Sequence, residues 1–199
     1  MSKTEPDSAK LEQKKAAKWA LTIFLITIIV SASISFLSDE VMSRSGIFAA
    51  FLILLAIVAV GIVFDIVGVA VTSADEKPFH SMASRRVPGA REAIMLLRNA
   101  GKVSSICNDV VGDICGVVSG AASASIAARV LAKSSFSWPQ LVTLGMSALV
   151  AGLTVGGKAV GKNVAIRSCT DIVYLVGKIL AAFKSCGQWL RKKKKRKTS

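Results

Sequence analysis

The 199-residue chain is 52% hydrophobic, and its 26 Lys and Arg against 12 Asp and Glu give a net charge of +14. A mean hydropathy of +0.56 argues against a soluble domain, in which a polar surface dilutes the apolar core. The charge would suit nucleic acid, but the basic residues cluster at the edges of apolar runs without interleaved aromatic residues, which argues against that partner.

Cysteine and histidine usage argues against a zinc site and against familiar enzyme chemistry. The four cysteines form no C-x-x-C pair, and His80 is the one histidine, so zinc-site spacing is missing. The sequence also lacks a phosphate-binding loop, a metalloprotease motif and a recognisable Ser-His-acid set. We therefore predict a protein that is not an enzyme.

The first apolar run extends from Trp19 to Leu37, after a polar segment of residues 1–18 that carries five lysines. It is longer than the apolar part of a cleavable signal and lacks a clear small-x-small cleavage site. A helix of about 20 residues spans a bilayer. We predict that residues 19–37 form a retained transmembrane helix, that residues 1–18 are cytosolic, and that a polar loop follows from Ser38 to Ser45.

Three further apolar runs are long enough to cross a bilayer. They extend from Gly46 to about Ser73, from Val103 to about Leu131, and from Gln140 to about Val164. In the third span small residues recur every fourth position, a pattern typical of close helix packing in lipid, although a merely glycine-rich helix is the alternative. These residues are Gly112, Gly116, Gly120, Ala124 and Ala128. The predicted fold class is an all-α integral membrane protein with about four transmembrane helices plus cytosolic juxtamembrane helices.

Two polar stretches predict the juxtamembrane helices. Residues 75–102 contain six Lys and Arg, and Ala90 to Asn99 predicts a short helix that either rests on the membrane interface or packs on the rest of the protein. Arg167 to Leu190 is amphipathic and is predicted along the cytosolic interface. The polybasic tail, residues 191–199, is either attracted to anionic headgroups or solvated.

The distribution of basic residues predicts the orientation. With the N-terminus inside, the cytosolic segments collect five, six and twelve Lys and Arg, whereas the outer side collects only Arg44, Arg129 and Lys133. Cytosolic loops of membrane proteins carry such an excess. We therefore predict a multi-pass protein of the cell membrane with both termini in the cytosol.

Charged residues within the apolar runs indicate a polar site, because intramembrane charge is costly and usually functional. At a helical rise of about 1.5 Å per residue, Asp65 and Asp113 are each predicted about 15 Å from the cytosolic edge. Lys158 lies near the inner end of the fourth span. Asp109 lies one turn from Asp113, and Asn108 lies on the neighbouring strip. Such oxygens suit a hard divalent cation. Pairing of the lysine with one of the acids, merely to permit burial, is the alternative.

Four segments resemble motifs of the cyclin M / CorC family of magnesium transporters, in similar order and spacing. Gly157 to Arg167 (GKAVGKNVAIR) resembles the family's G-E-x-x-P-K segment, with Lys158 where the family has Glu. Ser73 to Glu76 (SADE) resembles its S-G-S-E, and Val111 to Asp113 (VGD) its V-G-N. Pro88 to Asn99 (PGAREAIMLLRN) resembles the basic helix after the first family span.

The resemblance covers about residues 46–190, a CorC-like transmembrane domain behind the extra first helix. It implies a domain that holds dehydrated Mg²⁺ in an inward-facing cavity and that dimerises, so the implied partners are a second copy and a bilayer with anionic headgroups. Carried over by position, the implied ligands are Ser73, Glu76 and Asp113. The family's CBS nucleotide-binding pair is not found within these 199 residues.

Two functions follow. The first is a transporter for magnesium or another divalent cation, with an inward-facing ion site. Its candidate metal ligands are Asp65, Ser73, Glu76, Asn108, Asp109 and Asp113. The second is a non-transporting membrane subunit or regulator, in which the ion site is replaced by a buried pair of Lys158 with Asp65 or Asp113.

Overall fold

The regular structure is helical throughout the part of the chain described here. The computed structural model describes the backbone of residues 5–133 and 138–195, and the side chains of residues 17–38, 40, 41, 44–133 and 138–185. Residues 1–4 of the predicted cytosolic N-terminus, 134–137 between the third and fourth predicted spans, and 196–199 of the predicted tail lie outside it. The helices in chain order are α1 Glu5–Arg44, α2 Ile47–Ser73, α3 Lys77–Ser84, α4 Ala90–Arg98, α5 Ala100–Ser104, a π-helical segment Ser105–Gly112, α6 Asp113–Lys133, α7 Pro139–Arg167 and α8 Cys169–Lys195.

Four stretches of the described residues are long and apolar enough to cross a membrane. They are Ala17–Ser38 within α1, Ile47–Ser73, Ala100–Lys133 and Pro139–Arg167. Each coincides with one of the four predicted spans, so the prediction of four long apolar helices is confirmed. The amphipathic α8 is not among them.

α1 begins at Glu5 rather than at Trp19, and α8 ends at Lys195, within the segment predicted as the polybasic tail. Two further departures from the sequence predictions lie on either side of α2. α1 continues to Arg44, so the stretch predicted as a polar loop is helical up to that residue. Glu40 and Arg44 form an ion pair one turn apart, which supports this last helical turn. The second departure is α3, which was not predicted and which begins with Pro78 in its first turn, where proline is compatible with a helix.

α2 is the central helix, and it packs against α6, α7, the π-helical segment, α5 and α8. At one end of the bundle a buried cluster joins α2, α6 and α7; it contains Ala50, Leu54, Val58, Ala122, Ile126 and Val150. At the other end a second cluster joins α2 to α3, α4, α7 and α8; it contains Ala70, Val71, Phe79, Ala93, Leu97, Ala165 and Val173. Asp65 of α2 lies between these two apolar layers.

α1 and α8 occupy the outside of this bundle in different ways. α1 packs mainly on α6, where Ile23 lies against the cluster of Val110, Ile114 and Val118. α8 packs on α4 and crosses it at backbone contact: a Cβ added to Gly177 would stand 2.6 Å from the carbonyl oxygen of Gly89. The short helix α4, which the sequence predicts at Ala90 to Asn99, therefore packs on the rest of the protein.

Candidate functional site

The polar site is centred on an ion pair between α2 and α7. Lys158 Nζ lies 3.5 Å from Asp65 Oδ1, with 29% of the lysine side chain and 17% of the aspartate side chain exposed. Both residues were predicted from the sequence, and of the two acids considered as partners for Lys158 the structure brings Asp65 to it. The pair therefore places two opposite charges side by side, between the two apolar clusters of the bundle.

The π-helical segment forms the third wall of the site. A Cβ added at Gly112 would stand 3.4 Å from Lys158 Nζ, so the missing side chain leaves room for the ammonium group. Asn108 lies one turn earlier and contacts α2 at Gly68, where an added Cβ would overlap its Oδ1. Asp65, Gly68 and Asn108 are therefore neighbours across the α2 interface.

Asn108 carries a buried oxygen without a hydrogen-bond donor. Its Nδ2 donates to Ser104 Oγ at 3.3 Å, while its Oδ1 is buried without a partner in the described part of the chain. Buried polar atoms are usually paired, so an orphaned acceptor calls for an explanation. Single π-helical turns occur often at functional sites. The segment thus places a free acceptor one helical turn from the ion pair.

Asp109 and Asp113 do not join this site. Both side chains are exposed, and neither reaches ion-pair distance of Lys158. The π-helical segment explains the difference from the sequence-based estimate, because its i→i+5 hydrogen bonds put more residues in each turn than an α-helix does. Side chains that follow the segment are rotated relative to a regular helix, and Asp113 begins α6 on the outer face.

The two candidates near the end of α2 also lie apart from Asp65. Ser73 has an exposed side chain on the last turn of α2. Glu76 lies between two basic partners, with His80 Nε2 at 3.2 Å and Arg98 Nε at 3.8 Å from its Oε2. This carboxylate therefore links α3 to the end of α4.

The six candidate metal ligands are thus distributed over four places. Asp65 and Asn108 lie in the interior, Asp109 and Asp113 on the outer face of the π-helical segment and α6, Ser73 at the end of α2, and Glu76 at the α3–α4 junction. Among the described residues, no three His, Cys, Asp or Glu side chains come together in a way that could hold a metal ion. The assignment of the six oxygen-bearing residues to Mg²⁺ stays a prediction.

Sequence reasoning missed the residues that shape the site without being charged. The missing side chain of Gly68 leaves room for Asn108, and that of Gly61 leaves room for Cys115. A Cβ added to Gly61 would lie 2.9 Å from the Cβ of Cys115. Gly112 belongs to the four-residue small-residue pattern of the third span, but Gly116 and Gly120 have open space around them. Glycine spacing thus indicated close packing without showing which glycines provide it.

A scan against family models finds no match to this chain, and searches of curated proteins and of solved structures find none either. The likeness to the cyclin M / CorC family therefore stays a prediction.

Proposed function

We propose that this chain is a multi-pass protein of the cell membrane, with both termini in the cytosol, and that it serves as a non-transporting subunit or regulator. Four long apolar helices and the one-sided excess of Lys and Arg support the membrane placement. The Arg129 side chain donates to the carbonyl oxygen of Ser45 at 2.7 Å. This bond joins the end of α6 to the α1–α2 turn, in agreement with both ends facing the outer side.

The observation that carries the regulatory assignment is the Asp65–Lys158 pair. Lys158 occupies the position at which the similar cyclin M / CorC motif has a glutamate, and its Nζ lies 3.5 Å from Asp65 Oδ1. A divalent cation held about 4 Å from this ammonium would be repelled by about 8 kcal/mol at an effective dielectric constant of about 20. The lysine therefore replaces a bound cation as the partner of the carboxylate.

The outer face of α6 and of the π-helical segment before it supports the role of a subunit. Asp109, Asp113, Gly120 and Ala124 are exposed, and nothing lies within 4 Å of a Cβ added at Gly116 or Gly120. Carboxylates are costly against lipid, and small residues let another helix approach closely. A symmetric homodimer through this face would set like charges together. We therefore expect a helix of a different subunit here, with a basic or donor side chain facing the acids.

A magnesium or divalent cation transporter remains the second candidate, and Asn108 favours it. Its buried Oδ1 has no donor in the described part of the chain, and it contacts α2 at Gly68, one helical turn from Asp65. An amide and a carboxylate oxygen are suitable ligands for Mg²⁺. In this alternative Lys158 moves away when the ion enters.

Thermal unfolding of the purified full-length protein with millimolar Mg²⁺ separates the two candidates. We expect no stabilisation of the wild type. We expect Lys158→Met to unfold at a lower temperature without metal, and Mg²⁺ to raise that temperature by roughly 5 °C at a hundredfold excess over its Kd, because the place of the ammonium is vacated.

Lys162→Met is the matched control, since Lys162 is an exposed lysine one turn along the same helix. It should change neither the unfolding temperature nor the metal response. If Mg²⁺ instead stabilises the wild type, and Asp65→Asn and Asn108→Ala abolish that stabilisation, the assignment as a transporter is supported and the regulatory assignment is refuted.

A further inference from the structure

Two adjoining cavities lie along the contact between α4 and α8. The first, of about 420 Å³, is lined by Arg86, Arg91 and the Pro88–Gly89 turn before α4. The second, of about 470 Å³, is lined mainly by apolar side chains, which include Met95, Leu96, Val103, Leu180 and Phe183. Glu92 lines both cavities, so the basic one and the apolar one adjoin at this residue.

Arg86 is held in a conformation that usually belongs to glycine. Its φ is +57°, its N–H donates to the carbonyl oxygen of Ala83 at 3.0 Å, and the N–H of Val87 donates to that of Met82 at 3.0 Å. This is the Schellman arrangement that ends a helix, with Arg86 where glycine is preferred. A side chain at this strained position points to a role beyond ending α3.

The two guanidinium groups at the first cavity are available for an anion. Arg86 and Arg91 are exposed, and within the described residues neither guanidinium group makes a hydrogen bond or an ion pair. The nearby acid Glu92 is 19% exposed and lies 3.4 Å from Lys184 Nζ, which offsets its charge. Arginine recognises phosphate with two parallel N–H donors.

The second cavity opens beside an apolar stripe on α8. Leu175, Ile179 and Phe183 recur every fourth residue and are exposed, with Phe183 at 72%, while Val173 and Gly177 face α4. The cavity also reaches Val103, at the start of the third apolar stretch. From Gly89 to Asn99 the rise along α4 is about 15 Å, enough to separate a headgroup from the acyl region.

We propose that these two cavities form one binding site for an anionic phospholipid. The phosphate lies between Arg86 and Arg91, and one acyl chain occupies the cavity beside Met95, Leu96 and Phe183. The site rests on the proposed membrane placement, because only a chain in the bilayer meets such a lipid at this surface. The cavity volumes are within the usual 300–1,000 Å³ of small-molecule sites.

Retention of phosphatidylglycerol against phosphatidylcholine by the full-length protein, measured by native mass spectrometry from mixed nanodiscs, tests the site. We expect the wild type to retain phosphatidylglycerol selectively. Arg86→Gly should lower its retention about tenfold, since a charge-assisted contact is lost, without lowering the unfolding temperature, because glycine relieves the positive φ. Arg91→Gln should lower retention similarly, and Phe183→Ser should lower retention of both lipids.

Lys77→Gln and Lys162→Gln remove exposed basic charges from α3 and α7 outside both cavities, and should leave the selectivity unchanged. If they weaken retention as much as the arginine variants, general charge attraction explains the binding and the site is refuted. Displacement of the lipid by millimolar inorganic phosphate, or by an acidic peptide, would also refute it. A wild type that floats with liposomes yet retains both lipids equally refutes this site alone, whereas one that does not float refutes the membrane placement as well.

Discussion

Lys158 and Asp65 stabilise each other only as a pair. Removing one partner of a buried ion pair leaves an uncompensated charge. We expect Lys158→Met to lower the free energy of unfolding by roughly 3 kcal/mol, at the lower end of the usual range because both side chains keep some exposure. Asp65→Asn should cost a similar amount, and the double variant should cost less than either single change. Denaturant titration of all four proteins measures this coupling, and additive costs would contradict it.

The sequence revealed the two charges of this pair because a charged residue is conspicuous in an apolar run. It did not reveal which acid lies next to Lys158, since that depends on the π-helical segment before α6, which rotates Asp113 outward. Gly68 was also missed. In an apolar helix, the sequence does not show whether a glycine is in close contact with a neighbouring residue or faces open space. Gly68 is in close contact with Asn108.

The crossing of α4 and α8 depends on two glycines in backbone contact. A Cβ at Gly177 would meet the carbonyl oxygen of Gly89 at 2.6 Å and the amide nitrogen of Ala93 at 3.0 Å, and backbone atoms cannot move aside as a flexible side chain can. We expect Gly177→Ala to destabilise the protein by about 1–3 kcal/mol, measured as the shift in unfolding free energy. Gly152→Ala is the control: its surroundings are open, so it should be neutral or stabilising. Equal effects of both changes would contradict the contact.

The long helices were predictable because four apolar runs of sufficient length can satisfy their backbone groups in lipid only as helices. Their ends were less predictable. α1 passes through Ser38 to Arg44 because no glycine or proline interrupts it, and polar composition alone had suggested a loop. The short α3 escaped notice because eight residues give little periodicity, and its core residue, Phe79, is buried through tertiary packing on α2 and α4.

The arrangement of the bundle agrees with the proposed orientation, and labelling can test it in cells. In a cysteine-free background we expect Gln140→Cys, at the start of α7, to react with an impermeant maleimide from outside intact cells. Ser84→Cys and Ser185→Cys, both exposed at the opposite end, should react only after permeabilisation. Reaction of Ser84→Cys in intact cells would show that the orientation is the reverse of the proposed one. Different accessibility of the two serine positions would contradict an even number of spans between them.

The 40 residues of α1 form a helix of about 60 Å. It contacts the bundle along one stripe that begins at Ile23, in which Thr27, Ser31 and Ser35 are half-buried and Ser38 is buried. From that contact its N-terminal arm extends about 27 Å, so a tilt of about 10° displaces the arm's end by roughly 5 Å. Among the α1 side chains that the structure describes, only Ser38 is buried, in contrast to α2, whose neighbours enclose it. We therefore expect force applied near the N-terminus to tilt α1 before it separates Lys158 from Asp65.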